Sequence, residues 1–219
     1  MRNFQMILVG IVLLTSCSMV KNTEPNAVYQ INKEISENYP AAGTVNYYVC
    51  DDGDDSNKGV SINRPWKSFR KAIAKFNEMN AGDAILFCRG GVFPTRGTPR
   101  VYNPKCMKKT PCVISDYYKK NALTTVSKPL ILSKSAKAVF NFQDRGNSDK
   151  DGGYIIENLA ITGRSRNIGQ GIIFHNDVDD VELINLSINS FLRAISVGGK
   201  TKRKLNEGSD GINERISVV

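Results

Sequence analysis

The chain has 219 residues, 30 Lys and Arg against 21 Asp and Glu, one His, and a formal charge of +9. That length, with a 41% apolar share, fits one globular domain behind a leader and excludes an intrinsically disordered chain. The basic balance favours acidic partners such as uronic-acid polysaccharides, whereas no basic run interleaved with aromatics points to nucleic acid.

In chain order, residues 1–16 read as a signal peptide. Arg2 supplies the positive start, and Met6–Leu14 is an apolar run well short of the ~20 residues that span a bilayer. Leu14-Thr15-Ser16-Cys17 resembles a bacterial lipobox, which implies cleavage before Cys17 and acylation of its sulfur. Ser18 in place of an aspartate points to the outer membrane, so the expected location is exported, as an outer-membrane lipoprotein or at the cell surface. Several acyl chains together would anchor firmly where a single one binds marginally. Residues 17–44, polar and carrying Pro25 and Pro40, read as the lipid-anchored tether, with a short helical turn near Gln30–Glu37.

Residues 45–219 form the expected folded domain. Val45–Cys50 is a strand by composition. Asp51-Asp-Gly-Asp-Asp-Ser-Asn-Lys-Gly59 has the acidic density of a calcium loop, but no glutamate stands at its twelfth position, which excludes an EF-hand and leaves a turn with Asx caps or an irregular cation site. A helix follows, with Asn63 as its cap and Pro65 in its first turn; Trp66, Phe69, Ile73 and Phe76 share one face, and Gly82 ends it. Asp83–Cys88 is the next strand.

Four cysteines, Cys50, Cys88, Cys106 and Cys112, remain beyond the leader, and in an oxidising compartment an even number reads as disulfides. Tyr47-Tyr-Val-Cys50 and Ile85-Leu-Phe-Cys88 align cysteine to cysteine, so stacking them as parallel neighbours ~4.8 Å apart brings those sulfurs within reach. Cys106 and Cys112 would then close a small loop, although four cysteines allow three connectivities. Zinc is disfavoured, because no Cys-x-x-Cys pair occurs and His175 is the single histidine.

Further on, Cys112–Ser115 and Pro129–Ser133 read as short strands, and 143–153 and 164–170 as loops. Tyr154–Ile161 and Val181–Ile188 repeat at an offset of 27, which aligns Asn158 with Asn185. Gly171–Asp177 is a second kind of strand, with counterparts at Ala138–Asp144 and, at an offset of 23, Ala194–Gly198. A repeat of short strands without helices predicts a solenoid of stacked coils, in which Asn158 and Asn185 form a structural ladder and the aromatic helix covers one end. The polar segment 200–210 and the strand-like Glu214–Val219 close the sequence inside a further coil, which suggests a domain incomplete at its C-terminus, with an uncapped end open to a partner or to self-association.

The series Tyr47-Tyr-Val, Gly53–Gly59, Pro65-Trp66-Lys-Ser-Phe69, Gly82-Asp83 and Arg89-Gly-Gly-Val-Phe93 resembles the N-terminal cassette of right-handed parallel β-helix proteins of the pectate-lyase-like superfamily. The resemblance implies an all-β, right-handed parallel β-helix with an N-terminal capping α-helix. It leaves the activity open, since lyases, hydrolases and binding proteins share the scaffold. Under it, a polysaccharide lyase performing β-elimination on a uronic-acid glycan, with calcium and a basic residue, stands beside a non-catalytic glycan- or partner-binding protein.

Three constellations carry candidate chemistry. His175 with Asp177, Asp179 and Asp180 follows an inner strand; the carboxylates suit calcium, the histidine suits substrate, and a plain polar turn is the competing use. A polygalacturonase-like reading fails for want of a Gly-His-Gly motif. Arg164 and Arg166 could bind substrate, and Arg193 and Lys200 could neutralise the uronate or take its proton, if they are more than a solvated charge run. Asn158 and Asn185 are the structural pair already described.

Overall fold

The computed structural model describes residues 44–97, 99–120, 122, 125–135, 137–143, 152–175, 178–198 and 215–219. The signal peptide, the tether with Cys17, and the candidates Asp177 and Lys200 lie outside them.

Fourteen strands and one helix make up these residues. The long sheet runs β1 (Asn46–Val49), β2 (Ala84–Cys88), β5 (Cys112–Tyr117), β8 (Gly152–Glu157), β11 (Asp179–Ile184) and β14 (Ile216–Val218). The second sheet holds β3 (Val92–Thr95), β6 (Leu130–Ser133), β9 (Ala160–Thr162) and β12 (Ser187–Asn189). The third holds β4 (Arg100–Val101), β7 (Phe140–Phe142), β10 (Gln170–Phe174) and β13 (Arg193–Val197). All the pairings are parallel, and from β2 onward the chain visits the three sheets in turn. Each circuit is one coil, so the fold is a parallel β-solenoid.

The repeat sets the register. Val181 pairs with Tyr154 and Ile188 with Ile161, both at the offset of 27, while Ile195 pairs with Ile172 at 23. The shortfall falls at the loop between β9 and β10, which is longer than the β12–β13 connection. Asn158 and Asn185 turn the chain from the long sheet to the second one with φ of 56° and 50°, a left-handed conformation that asparagine tolerates better than most residues. Asn185 Nδ2 donates to Asn158 Oδ1 at 2.7 Å, which is the expected ladder. Asn158 in turn donates to Asp116, and Arg89 Nη1 donates to the same carboxylate at 2.8 Å, so one polar ridge links four coils. Burial pushes the Asp116 carboxyl up against the pull of Arg89.

Inside, aromatic rings stack from coil to coil. Phe142 lies on Phe174 at 4.8 Å and 14°, and beside Tyr154 at 5.6 Å. The helix α1 (Phe69–Phe76) closes one end of this column: Phe69 meets Phe87 and Phe140, and Phe76 meets Tyr154. At the other end the apolar strands lose cover. Phe174 is fully buried, yet its register partner Val197 is 56% exposed, and Val218 is 63% exposed beside the fully buried Leu183.

Two expectations need correction. The helix begins at Phe69 with Ser68 as its N-cap, so Asn63 does not cap it and Pro65 is not in its first turn. Trp66 is drawn out of the helix because its backbone joins β1: its N–H donates to Tyr48 O, and its carbonyl accepts from Cys50. Asp55, in the acidic loop, then takes the N–H groups of Lys67 and Ser68 and the Ser68 hydroxyl, while Ser68 Oγ accepts from Lys71. The loop is thus a turn that seats the helix. Gly59, at φ 73°, lies flat on the Trp66 indole, where any β-carbon would collide with the ring. The second correction is that the helix stops at Phe76 with Asn77 as its C-cap, well before Gly82. After Thr95 the chain forms β4, and β3 precedes it despite Pro94. A proline without an N–H is tolerated there because β3 is the edge of its sheet.

Both disulfides form as the strand alignment suggested. Cys50 bonds Cys88 across β1 and β2, and Cys106 bonds Cys112.

Candidate functional site

A groove of about 170 Å³ crosses the outer face of the long sheet. It is built from three strands in register and one disulfide-closed loop. Val181 and Leu183 of β11 are fully buried, so the alternation of a strand turns Asp180 and Glu182 outward. Glu182 pairs in register with Ile155 of β8 on one side and Ser217 of β14 on the other, which sets the three side chains in a rank. The loop closed by Cys106–Cys112 lies above them and contributes Lys108 and Pro111. Gly153, at φ 78°, lets that loop approach: a β-carbon there would meet the Met107 backbone.

The charges are arranged. Arg215 Nε donates to Asp180 Oδ1 at 2.6 Å and its Nη2 to Asp179 Oδ2 at 2.9 Å, while Lys108 Nζ stands 3.2 Å from Asp180. Burial, the largest influence on Asp180, raises its pKa, but the bonds from Arg215 and Lys108 outweigh it and hold the carboxyl below its ordinary value. Asp180 is therefore anionic across the neutral range. Glu182 is exposed and makes no ion pair among the described residues. The groove offers an apolar strip of Pro111, Gly153 and Ile155 beside a polar wall of Lys108, Asp180, Glu182, Arg215 and Ser217.

The expected site residues divide between faces. Asp179 and Asp180 belong to the groove, but as partners of Arg215 and Lys108. Their oxygens meet the Arg215 and Lys108 cations, and Asp177 lies outside the described residues. Among the described residues, only Cys50, Asp51 and Cys88 gather three potential ligand atoms, and a disulfide occupies both sulfurs. His175 sits on the third sheet just past β10, its backbone N–H on Phe142 O at 3.0 Å, with burial lowering its pKa. It is neutral near pH 7 and apart from the groove. Arg164 and Arg166 are exposed in the loop before β10, and Arg193 is exposed at the start of β13. Backbone bonds from Leu192 to Ile168 and from Arg193 to Gly169 tie these segments together, so the three arginines share one corner away from the carboxylates.

Lys108, Glu182 and Arg215 were missed by sequence reasoning. The alternation Asp180-Val-Glu-Leu183 was a legible signal for Glu182; Lys108 and Arg215 reach the groove only through the disulfide loop and the β11–β14 register.

No protein-family model matches the chain, and no curated protein matches it. Among solved structures, it is similar to the GH136 lacto-N-biosidase from Eubacterium ramulus. The native crystal structure superposes with a TM-score of 0.56 at 18% identity, over 87% of this chain and 35% of that one. The selenomethionine derivative gives 0.55 at 18%, over 88% and 36%. The chain thus spans about a third of the length of these structures, and the likeness is one of fold.

Proposed function

We propose that the chain is a glycan-binding parallel β-helix of the pectate-lyase-like kind, carried at the bacterial cell surface by lipid on Cys17, whose long-sheet groove takes an acidic saccharide. Right-handed winding belongs to the proposal, since parallel crossover connections are right-handed in about 98% of cases. The observation that carries the reading is the two-sided lining of the groove. A sugar presents C–H faces and hydroxyl edges, and the Pro111–Ile155 strip suits the first while the mixed-charge wall suits the second. In this reading a uronate carboxylate shares Lys108 and Arg215 with Asp179 and Asp180, which already pair with them.

Hydrolysis is the second reading, favoured by one observation. Asp180 and Glu182 lie two residues apart on the same face of β11, one held ionised by two cations and the other without an ion pair among the described residues. A glycosidase places two carboxyl groups on either side of the bond it cleaves, and these two are the pair this groove offers. The fold likeness to a GH136 lacto-N-biosidase supports a carbohydrate ligand in either case.

The test exposes the wild type and Glu182→Gln to polygalacturonate, alginate, glycosaminoglycans and neutral oligosaccharides, with binding followed by calorimetry. Unsaturated uronate absorbance marks elimination. New reducing ends without that absorbance, lost in Glu182→Gln, mark hydrolysis. Binding with neither product marks a non-catalytic protein, and no binding to any glycan overturns the proposal.

A further inference from the structure

The cap of the solenoid carries a second cleft, of about 330 Å³, on the face where β1, the acidic loop and α1 meet. Its volume falls at the lower end of small-molecule pockets, roughly 300–1,000 Å³. Tyr47 and Trp66 form one wall as a stacked pair, 5.2 Å apart at 10°. Around them stand Lys58, Lys71 and Lys75 against a single carboxylate, Glu78. Lys75 is held by Glu78 at 2.9 Å and lies 5.2 Å over the Tyr47 ring, which spends the one negative charge of the lining. Lys71 lies 5.7 Å over the Trp66 ring. Neither Lys58 nor Lys71 makes an ion pair among the described residues, and Lys71 feels Asp55 and Glu78 only at longer range, so both ammonium groups keep donors to offer the cleft.

We propose that this cleft binds the tetrahedral oxyanion of a sulfate or phosphate ester on a small molecule, held between Lys58 and Lys71 against the Tyr47–Trp66 pair. Lysine ammoniums are compact point charges with rotatable donors, and the several oxygens of one tetrahedral anion can accept from two of them at once. The Tyr47 hydroxyl makes no hydrogen bond among the described residues. Burial, its largest influence, raises its pKa above the ordinary phenol value, so it enters the site as a donor. The Trp66 indole N–H is already given to Asn57 O at 2.7 Å, which leaves the indole as wall and not as ligand.

Trp66 is the single tryptophan of the chain, so its fluorescence reports on this cleft alone. Glucose 6-sulfate and glucose 6-phosphate are titrated into the full chain at constant ionic strength, with potassium chloride and potassium acetate as comparisons. A saturable change in Trp66 emission is expected with one or both esters, weakened about tenfold or more in Lys58→Gln/Lys71→Gln, the scale of two lost charge contacts. The exposed Lys137→Gln variant, which removes a charge elsewhere, should bind like the wild type. The ester that binds tighter identifies the source of the oxyanion. Emission that follows ionic strength alone overturns the site. Unchanged affinity in the double variant, with its circular dichroism intact, also overturns it, and acetate binding as tightly as the esters overturns the tetrahedral assignment. The outer groove is untouched by these variants, so failure here leaves the glycan proposal standing.

Discussion

The two disulfides close loops of different length, and that difference predicts their separate contributions. Cys50–Cys88 spans 38 residues and Cys106–Cys112 spans 6. Loop-closure entropy in the unfolded chain then gives about 4 kcal/mol for the first and about 2 kcal/mol for the second. All four sulfurs are buried, at 0–1% exposure, so replacing each pair by alanine adds a similar core penalty to both variants and the difference of about 2 kcal/mol survives. The loops do not overlap in sequence, so the effects should add. Thermal unfolding of Cys50→Ala/Cys88→Ala should fall by about 8–16 °C, and that of Cys106→Ala/Cys112→Ala by about 4–8 °C, before the shared penalty. Function should invert the order. The short loop carries Lys108 to Asp180, so the milder variant is the one that weakens glycan binding in the groove. Equal stability losses, or a larger loss from the short loop, would refute the entropic argument; unaltered glycan affinity without Cys106–Cys112 would refute the positioning role.

Three further outcomes are expected. Phe174→Ala, in the filled core, should cost about 3–5 kcal/mol in denaturant unfolding, whereas Val197→Ala, its exposed register partner, should stay within about 0.5 kcal/mol. Asn185→Ala loses the amide bond to Asn158 and puts alanine, which tolerates the left-handed conformation less well than asparagine, into the turn, for about 1–2 kcal/mol, and Asn185→Gly should recover the backbone part, as urea midpoints of the pair would show. Because the folded pKa of Asp180 is depressed, its stabilisation is complete above the unfolded value of about 3.9 and is lost as pH falls through the folded value. Asp180→Asn should therefore flatten the acid limb of a stability–pH curve and leave the neutral limb's slope unchanged.

What the sequence disclosed and what it withheld divide along a physical line. Register was legible because a parallel coil repeats the same inward positions: the offset of 27 that aligns Asn158 with Asn185 also pairs Tyr154 with Val181, and the offset of 38 between the two cysteine-ended strands is the β1–β2 register itself. The start of α1 was not legible, because the aromatic period of Trp66, Phe69, Ile73 and Phe76 is blind to the backbone bond that takes Trp66 into β1. The groove was half legible. Asp179 and Asp180 could be picked out as a carboxylate cluster, but whether such a cluster binds a metal or a cationic side chain depends on what stacks above and below it. Here Arg215 arrives one coil later and Lys108 two coils earlier, so the local reading left calcium beside a plain polar turn while the stacked one supplies guanidinium and ammonium. In a solenoid the local sequence sets which side chains face outward, and the neighbouring coils decide their chemistry. A site on such a face is therefore best tested by changing the residues that stack on it: Arg215→Met should release the Asp180 carboxyl toward its ordinary pKa and weaken groove binding, although no residue of β11 itself has changed.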